Sequence, residues 1–284
     1  MLSFTAILGR NGLQYMEADK TGDSQLNKKE LRHQKICNLL SAHDHLSVPQ
    51  LCAELKRSEA TIRNDLRELE SNGMVKRVYG GVMSTGNTLH EVPLPSREIL
   101  HQHEKEKIAK YVVDNILKPH QTIILDAGTT TTALASMIAK MQIPLTVATN
   151  SIPCVSILAE NPEIKIYVAG GIYDPKVGSC HDLQTINSLN MLYTDIYFLC
   201  PTGISVDTGF TVPDQGGADV KRAMMKRASK TIALADQSKF DKTGLHIICS
   251  LHDLDYVVTD NKLANDMTEK FENAGLVIKS ASQD

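Results

Sequence analysis

The C-terminal half of this 284-residue chain alternates short apolar runs with helical stretches, and this alternation most constrains what the chain can fold into. The runs are continuously apolar, which is typical of strands buried on both faces. They occupy residues 122–125, 145–149, 164–169, 196–199, 231–235 and 256–259. Helical stretches such as 132–141, 153–159 and 217–227 lie between most of them. The pattern predicts an α/β domain with a mostly parallel sheet and helices on both faces.

Three shorter helical stretches and two short strands precede that domain. Residues 28–42 carry apolar side chains at helical spacing, and Ser47 and Ser58 are placed to cap a second and a third helix. The third has a single apolar stripe, followed by Gly73, a candidate left-handed C-cap, and by two strands within 74–82. This order predicts an N-terminal winged helix-turn-helix.

The patterns divide the chain into four parts. We expect a poorly ordered extension, because the first residues show no sustained period and contain turn residues. A helix-turn-helix domain, a turn-rich linker with Pro93 and Pro95, and the α/β domain follow. The expected limits are 1–26, 27–83, 84–105 and 106–284, with a helical stretch over 97–117.

The formal net charge of −3 does not suggest a nucleic-acid partner, but the charge is unevenly distributed. Residues 27–83 hold 10 Lys and Arg against 7 Asp and Glu, a net +3 that leaves −6 for the rest of the chain. A basic head on an acidic body is typical of a polyanion-binding module joined to a metabolite-binding domain. So small an excess also arises by chance, so DNA binding is not inferred from charge alone.

Cysteine and apolar patterns indicate the compartment. The six cysteines are scattered without a CxxC pair and the ten histidines show no metal-ligand spacing, so we expect free thiols, no metal and no cofactor. No apolar run reaches the roughly 18–20 residues that span a bilayer. The N-terminus lacks the basic region and cleavage site of a signal peptide. We expect a cytoplasmic protein with no membrane partner.

The third helix and the strands after it carry a spaced set of residues: Ser58, Thr61, Ile62, Arg63, Asp65, Leu66, Leu69, Glu70, Gly73, Arg77, Gly80 and Gly81. This set resembles the helix-turn-helix signature of DeoR-type transcription regulators, which implies binding to double-stranded operator DNA. Asn64 stands where that family usually has a second arginine, and Tyr79 where it has histidine. Both departures bear on the operator sequence rather than on DNA binding.

Physical reasoning agrees with this resemblance. A helix in the major groove presents its N-terminal residues to base edges, where Arg favours guanine and Asn favours adenine. Basic residues of the strands can reach phosphate or the minor groove. The candidate DNA-binding residues are Ser58, Glu59, Thr61, Arg63, Asn64, Arg67, Lys76, Arg77 and Tyr79. Taken singly, such charges are equally typical of a solvated helix face.

A Gly- and Thr-rich junction follows the first apolar run of the α/β domain, with the sequence Asp-Ala-Gly-Thr-Thr-Thr-Thr at 126–132. Small residues let the backbone approach an anion, and a helix N-terminus offers free N–H groups. Small-residue turns also follow the later strands, at the edge of an open α/β sheet where ligands bind. The junction predicts a phosphate cradle, although threonine runs also cap helices without a ligand.

Five short motifs of this domain occur in a characteristic order: D-x-G-T-T, T-N, G-G, G-F-T and D-x-S-K-F, at 126–130, 149–150, 170–171, 209–211 and 236–240. This succession is similar to the sensor domain of the DeoR-type family, so the resemblance covers roughly residues 28–260. It implies a domain like phosphosugar isomerases that binds a phosphorylated sugar or related metabolite. By this resemblance Asp126, Gly128, Thr129, Thr130 and Thr131 hold the phosphate, Asn150, Gly171, Asp236 and Lys239 line the pocket, and Lys221 neutralises an anionic ligand.

Three departures from the family pattern bear on the identity of the ligand. Gly217 replaces a glutamate that precedes the family's lysine, and Cys200-Pro201-Thr202 replaces a stretch of small residues. Residues 178–182 are only loosely similar to the family.

The sequence therefore predicts a transcription regulator of the repressor type, not an enzyme, whose operator affinity a phosphorylated sugar modulates. Reading a palindromic or repeated operator requires at least a dimer, so we expect a homodimer or homotetramer. One alternative is a phosphosugar isomerase fused to a DNA-binding head. It needs a positioned base, and no spacing singles one out. The other alternative is a DNA-binding protein whose α/β domain senses no metabolite and serves only to form oligomers.

Overall fold

The computed structural model describes residues 4–9, 12–17, 28–42, 45–71, 75–78, 80–84 and 94–282. Its first elements are two antiparallel strands, β1 (Phe4–Gly9) and β2 (Gly12–Glu17), paired from Gly9 and Gly12 outwards. These strands differ from the irregular extension expected over 1–26. The signal for this pairing is two runs of strand-forming residues that end at Gly9 and begin at Gly12, with Asn11 between them.

The next region folds into three helices, α1 (Lys28–Ala42), α2 (Val48–Leu55) and α3 (Glu59–Ser71), with β3 (His45–Ser47) before α2. The Ser47 and Gln50 side chains cap α2 reciprocally, each accepting the other residue's backbone N–H. The Ser58 hydroxyl accepts the Thr61 N–H at 3.3 Å. Both predicted N-caps are confirmed.

A short antiparallel hairpin, β4 (Val75–Val78) and β5 (Gly81–Ser84), forms the wing, and β5 also pairs with β3. Gly80 has a φ of 78°, a left-handed conformation that glycine adopts without steric cost. The head, defined here as residues 28–84, has a core that includes Ile36, Leu40, Leu51, Ile62, Leu66, Leu69, Val75 and Val82. Gly73, predicted to end α3, and Tyr79, predicted to contact DNA, lie outside the described residues.

Two helices begin within the expected linker, residues 84–105: α4 (Leu94–Ile99) and α5 (Gln102–Asn115). The helical stretch predicted over 97–117 is therefore broken at Leu100 and His101. Pro95, which we expected to lie in a turn-rich linker, stands in the first turn of α4, where proline is tolerated. His101 has a φ of 54°, which is disfavoured for a residue with a Cβ atom.

The α/β domain continues with β6 (Thr122–Leu125), α6 (Thr129–Ile138), β7 (Leu145–Thr149), α7 (Ile152–Leu158), β8 (Ile164–Val168), β9 (Tyr173–Asp174), β10 (Ser179–Cys180), α8 (Leu183–Leu189), β11 (Thr194–Leu199), β12 (Gly203–Ser205), β13 (Gly209–Val212), α9 (Gln215–Met225), β14 (Ala228–Leu234), β15 (His246–Cys249), β16 (Tyr256–Thr259), α10 (Asn265–Asn273) and β17 (Ile278–Ser280). All six predicted strands are present, whereas β9, β10, β12, β13, β15 and β17 were not predicted.

Seven of these strands form one parallel sheet in the order β17-β16-β14-β11-β6-β7-β8. The predicted parallel α/β sheet is confirmed. From β6 the chain first adds strands on one side, as β7 and β8, and then crosses to add β11 and its successors on the other. The strand order thus reverses between β6 and β11, and ligands of open α/β sheets bind outside the carboxyl ends of the strands at such a point.

The two faces of the sheet pack against separate apolar cores. Ile123 and Leu125 face a core shared with α5, α6 and α7, whereas Ile124 faces a core shared with α9 and α10. A second sheet of antiparallel strands, in the order β12-β13-β15, adds Ile204, Phe210 and Ile248 to this second core. None of the described helices is both long and apolar enough to cross a bilayer.

Candidate functional site

The outer face of α3 carries polar side chains opposite its apolar stripe. Ile62, Leu66 and Leu69 are buried in the head, whereas Arg63 and Arg67 are exposed. The solvent-facing side of the helix therefore carries the residues that the sequence predicts to contact bases. The other described members of that set, Ser58, Glu59, Thr61, Asn64, Lys76 and Arg77, are also exposed or partly exposed.

Glutamates neutralise two cations of this surface. The Arg63 guanidinium lies 2.6 Å from Glu59 Oε1 on the same helix, and Arg77 Nε lies 2.8 Å from Glu70 Oε2. Glu70 Oε1 also accepts the backbone N–H of Arg77 at 3.1 Å. Glu70 therefore ties the first wing strand to α3, and a phosphate that binds Arg77 has to compete with it.

An open groove of about 650 Å³ separates α3 from the wing. Arg63 and Glu70 line it from the helix, and Arg77 and Gly80 line it from the wing. The structure thus places a predicted base-contacting residue and a predicted backbone-contacting residue on the two walls of one groove.

At the switch point of the large sheet, the residues following β6 and β11 meet. Asp126 follows β6, and its Oδ2 atom accepts hydrogen bonds from the backbone N–H of Cys200, at 2.7 Å, and from Lys221 Nζ on α9, at 2.5 Å. Its Oδ1 atom accepts the Ala127 N–H at 2.8 Å. Asp126 and Lys221 are 1% and 6% exposed. Both carboxylate oxygens therefore have partners within the chain, through which Asp126 holds the residues after β6 and β11 together.

The threonine hydroxyls that follow are also used within the chain. Thr131 Oγ1 donates to the carbonyl oxygens of Asp126 and Gly128, at 2.7 and 2.8 Å, and Thr132 Oγ1 donates to Gly128 at 2.9 Å. These bonds fix the first turn of α6. A Cβ atom at position 128 would lie 2.5 Å from Cys200 Cβ, so glycine is required there by packing.

A small cavity of about 60 Å³ opens beside this junction. Its described lining residues are Arg97, Leu100, His101, Lys105, Ala127, Gly128, Thr129, Thr130, Cys200, Pro201, Thr202, Leu234 and Lys239. They include two lysines and an arginine and no carboxylate. Thr129 and Thr130 stand in the first turn of α6, where backbone N–H groups have no partner within the helix. The cavity has the charge and the donors of an anion site.

Lys105 is the most deeply buried cation of this cavity, at 4% exposed. Its Nζ atom donates to the carbonyl oxygens of Arg97 and, at 2.5 Å, of Leu100. Burial, assisted by the nearby positive charge of Lys239 and opposed by Asp236, lowers the pKa of Lys105 to about 7. Burying this ammonium without a counterion costs free energy, and an anion bound here would offset that cost by pairing with it.

Three predicted pocket residues lie outside this lining. Asp236 caps the turn after β14, and its Oδ2 atom has no partner among the described residues. Burial would raise the pKa of Asp236, but Lys239, His101 and Ser238 outweigh it and the pKa is lowered. Asn150 donates to the Cys180 carbonyl at 2.9 Å, and its Oδ1 atom is likewise buried without a described partner. Gly171 serves packing, because a Cβ atom there would lie 2.3 Å from Asp182 Oδ1.

Similarity to known proteins identifies the family of this chain. Residues 100–261 match the family described as DeoR C terminal sensor domain, and residues 32–88 match the family described as DeoR-like helix-turn-helix domain. The chain belongs to the DeoR family. Among the described residues of this DeoR-family chain, no group of His, Cys, Asp and Glu side chains is placed to hold a metal ion.

Several curated relatives match over nearly the whole chain. The HTH-type transcriptional regulator GolR of Listeria innocua is 33% identical over 250 residues, 88% of this chain and 98% of the relative. The HTH-type transcriptional regulator GlpR of Haloferax volcanii is 30% identical, covering 87% and 96%. The transcriptional repressor AccR of Agrobacterium fabrum is 31% identical, covering 83% and 91%. This DeoR-family protein is a DNA-binding transcription regulator.

Solved structures with a related fold are more distant. Ribose 5-phosphate isomerase A of Methanocaldococcus jannaschii is 17% identical, with a TM-score of 0.38 over 50% of this chain and 56% of that chain. The corresponding isomerase of Neisseria gonorrhoeae is 14% identical, with a TM-score of 0.36 over 49% and 53%. At these values the likeness carries no weight for function.

Sequence reasoning missed the basic residues and the histidine that line the cavity from the α4–α5 junction of this DeoR-family chain. Arg97, His101 and Lys105 line it from α4, α5 and the junction between them, which the sequence suggested was linker. Of the predicted ligand residues, the structure brings Gly128, Thr129, Thr130 and Lys239 to the cavity. A signal for the missed set was available, because basic residues and a histidine recur at four-residue spacing, as expected for one face of a helix.

Proposed function

We propose that this regulator acts as a repressor whose affinity for operator DNA is set by a phosphorylated sugar bound in the cavity at the switch point. The observation that carries the proposal is the cavity's lining: Lys105, Lys239 and Arg97 converge on the first turn of α6, and the described lining residues include no carboxylate. A phosphate monoester carries about −1.5 to −2 charge near neutral pH and accepts several hydrogen bonds. Such a group fits this lining better than a neutral ligand does.

Operator binding is assigned to the head. The proposed contacts are Arg63, Asn64 and Arg67 with base edges and Lys76 and Arg77 with phosphates, with Ser58, Glu59, Thr61 and Tyr79 beside them. A dimer or tetramer would place two heads on half-sites about one helical turn apart, or a multiple of it. Since ligand binding changes operator affinity only through a difference between two states, the sugar phosphate is expected to bind the DNA-free state more tightly.

The isomerase alternative needs a base beside the sugar carbon. No carboxylate is among the described residues that line the cavity, and Asp126 is engaged by Lys221. The geometry therefore favours the regulator. Incubation with pentose and hexose phosphates, followed by detection of any interconversion, tests the alternative.

The test of the proposal is a titration of DNA from upstream of the protein's own gene, followed by fluorescence anisotropy at fixed salt, with and without sugar phosphates. Specific binding that one phosphate weakens would support both assignments. Specific binding that no phosphate alters would keep the DNA-binding head and reject the sugar-phosphate sensor. If neither the wild type nor an Asp126, Thr129 and Thr131 triple substitution responds to any sugar phosphate, the alternative in which the α/β domain only oligomerises is favoured.

A further inference from the structure

The cavity is too small for the ligand that it is proposed to bind. Its volume of about 60 Å³ compares with roughly 300–1,000 Å³ for typical small-molecule sites. A phosphate group with a sugar attached can therefore enter only if one wall of the cavity moves.

One wall is rigid. The residues that follow β6 and β11 are held together by the Asp126 carboxylate, which binds the Cys200 N–H and the Lys221 ammonium at once. Gly128 packs directly against Cys200. Displacing this wall would break a buried ion pair at the centre of the sheet.

The opposite wall is the α4–α5 junction, residues 97–105, and three observations mark it as the wall that moves. α4 has only six residues, and His101 holds a left-handed conformation between the two helices. Strained backbone of this kind clusters at ligand clamps and switch regions. The end of α4 is held by the Lys105 ammonium, which binds the carbonyl oxygens of Arg97 and Leu100.

Leu100 connects this wall to the DNA-binding head. Its side chain lines the cavity and also packs, partly buried, against the apolar core of the head formed by residues such as Ile36, Leu51 and Ile62. A shift of the junction therefore changes the packing of the head.

We propose, on the basis of the phosphate site above, that the α4–α5 junction couples the sensor to the head: phosphate takes the Lys105 ammonium from the carbonyls of Arg97 and Leu100, and the released junction withdraws Leu100 from the head core. Phosphate carries a charge opposite to that of the ammonium, whereas the carbonyl oxygens are neutral acceptors, so exchanging carbonyls for phosphate gains electrostatic attraction. By thermodynamic linkage, packing of Leu100 on the head weakens phosphate binding by the same factor by which bound phosphate weakens that packing.

The test is hydrogen exchange of the full chain, read by mass spectrometry with and without saturating inorganic phosphate, together with calorimetric phosphate affinity. In the wild type, phosphate should raise exchange in α4 and in the head. In Leu100→Ala, head exchange should already be raised and should not respond to phosphate, and phosphate should bind at least about 5-fold more tightly, the lower end of usual coupling. Leu39→Ala is the matched control, because Leu39 packs partly buried on the same head core and does not line the cavity.

Leu39→Ala should loosen the head while leaving its phosphate response and its phosphate affinity intact. The exchange response decides the matter, since Leu100→Ala also enlarges the cavity and affects affinity on that account. Lys105→Met should lose phosphate binding and the response together. Wild-type binding of phosphate with no change of exchange in α4 or the head would overturn the coupling and leave the site standing. Failure of inorganic phosphate and of every sugar phosphate to bind the wild type would overturn both.

Discussion

The carboxylate of Asp65 on α3 forms a two-pronged ion pair with the guanidinium of Arg32 on α1, through Nε at 2.5 Å and Nη2 at 2.8 Å. His33 Nε2 lies 3.1 Å from the same carboxylate. Asp65 belongs to the signature that resembles DeoR-type regulators, yet it is 1% exposed and points away from the groove face. Its role is to set the position of α3 against the rest of the head.

Removal of this carboxylate should destabilise the head. Asp65→Ala leaves the Arg32 guanidinium without its carboxylate, which costs about 3 kcal/mol of unfolding free energy for a largely buried pair. Thermal unfolding of the full chain measures it. Glu68→Ala is the control, because it breaks the exposed Lys29–Glu68 pair and should cost less than about 1 kcal/mol.

The same pair has a pH signature. Burial would raise the pKa of Asp65, but hydrogen bonds from Arg32 and His33 outweigh it and the pKa is lowered. A lowered carboxyl pKa means that the pair's stabilisation is present above about pH 4, the unfolded value, and is lost as pH falls through the folded value. Acid unfolding of the head should therefore shift to higher pH in Asp65→Ala, and an unchanged midpoint would contradict this account.

Arg63 and Lys76 should differ in their effects on DNA binding. Arg63→Ala should weaken binding to the preferred sequence by about 1–3 kcal/mol and relax one base position. Lys76→Ala should weaken binding to all sequences alike and flatten the salt dependence. Anisotropy titrations on specific and scrambled duplexes at several salt concentrations separate the two. Equal losses of specificity would contradict the proposed docking of α3 in the groove.

Glu70 should restrain non-specific binding, because it occupies Arg77 in the free protein. Glu70→Gln frees the guanidinium for phosphate, so affinity for scrambled duplex should rise and the salt slope should steepen by about 0.9 for each added phosphate contact. Glu98→Gln makes the same change of charge on an exposed residue of α4 and is the control. Equal effects of the two variants would mean that net charge, not release of Arg77, is responsible.

Phosphate affinity should fall as pH rises through about 7. The pKa of Lys105 is lowered to about 7, chiefly by burial, so the ammonium that an anion needs is lost above that pH. Lys239, Arg97 and His101 face the same cavity and Asp236 lies beside it. Lys105→Arg, which stays charged, should remove most of the fall in calorimetric affinity. A fall of equal size in Lys105→Arg would assign it to another group.

Burial of Lys105 also affects stability, with a definite sign. The folded pKa lies below the unfolded value of about 10.4, so the penalty is fully present below pH 7 and is relieved as pH rises between the two values.

Asp126 and Lys221 should behave as a structural pair. Lys221→Met leaves a buried carboxylate without its cation and should cost about 3–5 kcal/mol of unfolding free energy. Adding Asp126→Asn should restore most of it, because the uncompensated charge is then gone. Loss of phosphate affinity in Lys221→Met with no loss of stability would instead support a direct ligand role for Lys221.

The sequence predicted the fold in most respects because strand burial and helix capping are local. The continuous apolar runs predicted β6, β7 and β16 with their bounds, and Ser47 and Ser58 predicted the starts of α2 and α3. The small sheet of β12, β13 and β15 escaped prediction because its strands have only three or four residues, too few to show a period, and because β15 pairs with β13 across a long interval of chain.

The candidate site was predicted only in part. Gly128, Thr129 and Thr130 are recognisable because a glycine and threonines between a strand and a helix N-terminus are typical of an anion-binding junction. Lys105 was missed because its significance comes from burial against the carbonyls of Arg97 and Leu100, which depends on how α4 and α5 pack. Thr131 was predicted as a ligand because its hydroxyl can serve an anion or the chain, and only the geometry shows that it donates to Asp126 and Gly128.

Because the α4–α5 junction supplies one wall of the cavity, the sensor cannot be exchanged between regulators at the boundary that the sheet alone suggests. A fragment or chimera joined at residue 106 would keep Lys239 and the first turn of α6 but would lack Arg97, His101 and Lys105. Recombination within a family of such regulators would have to carry residues 94–105 along with the sheet to transfer ligand response. Chimeras joined further downstream would fold and bind DNA without responding to the metabolite.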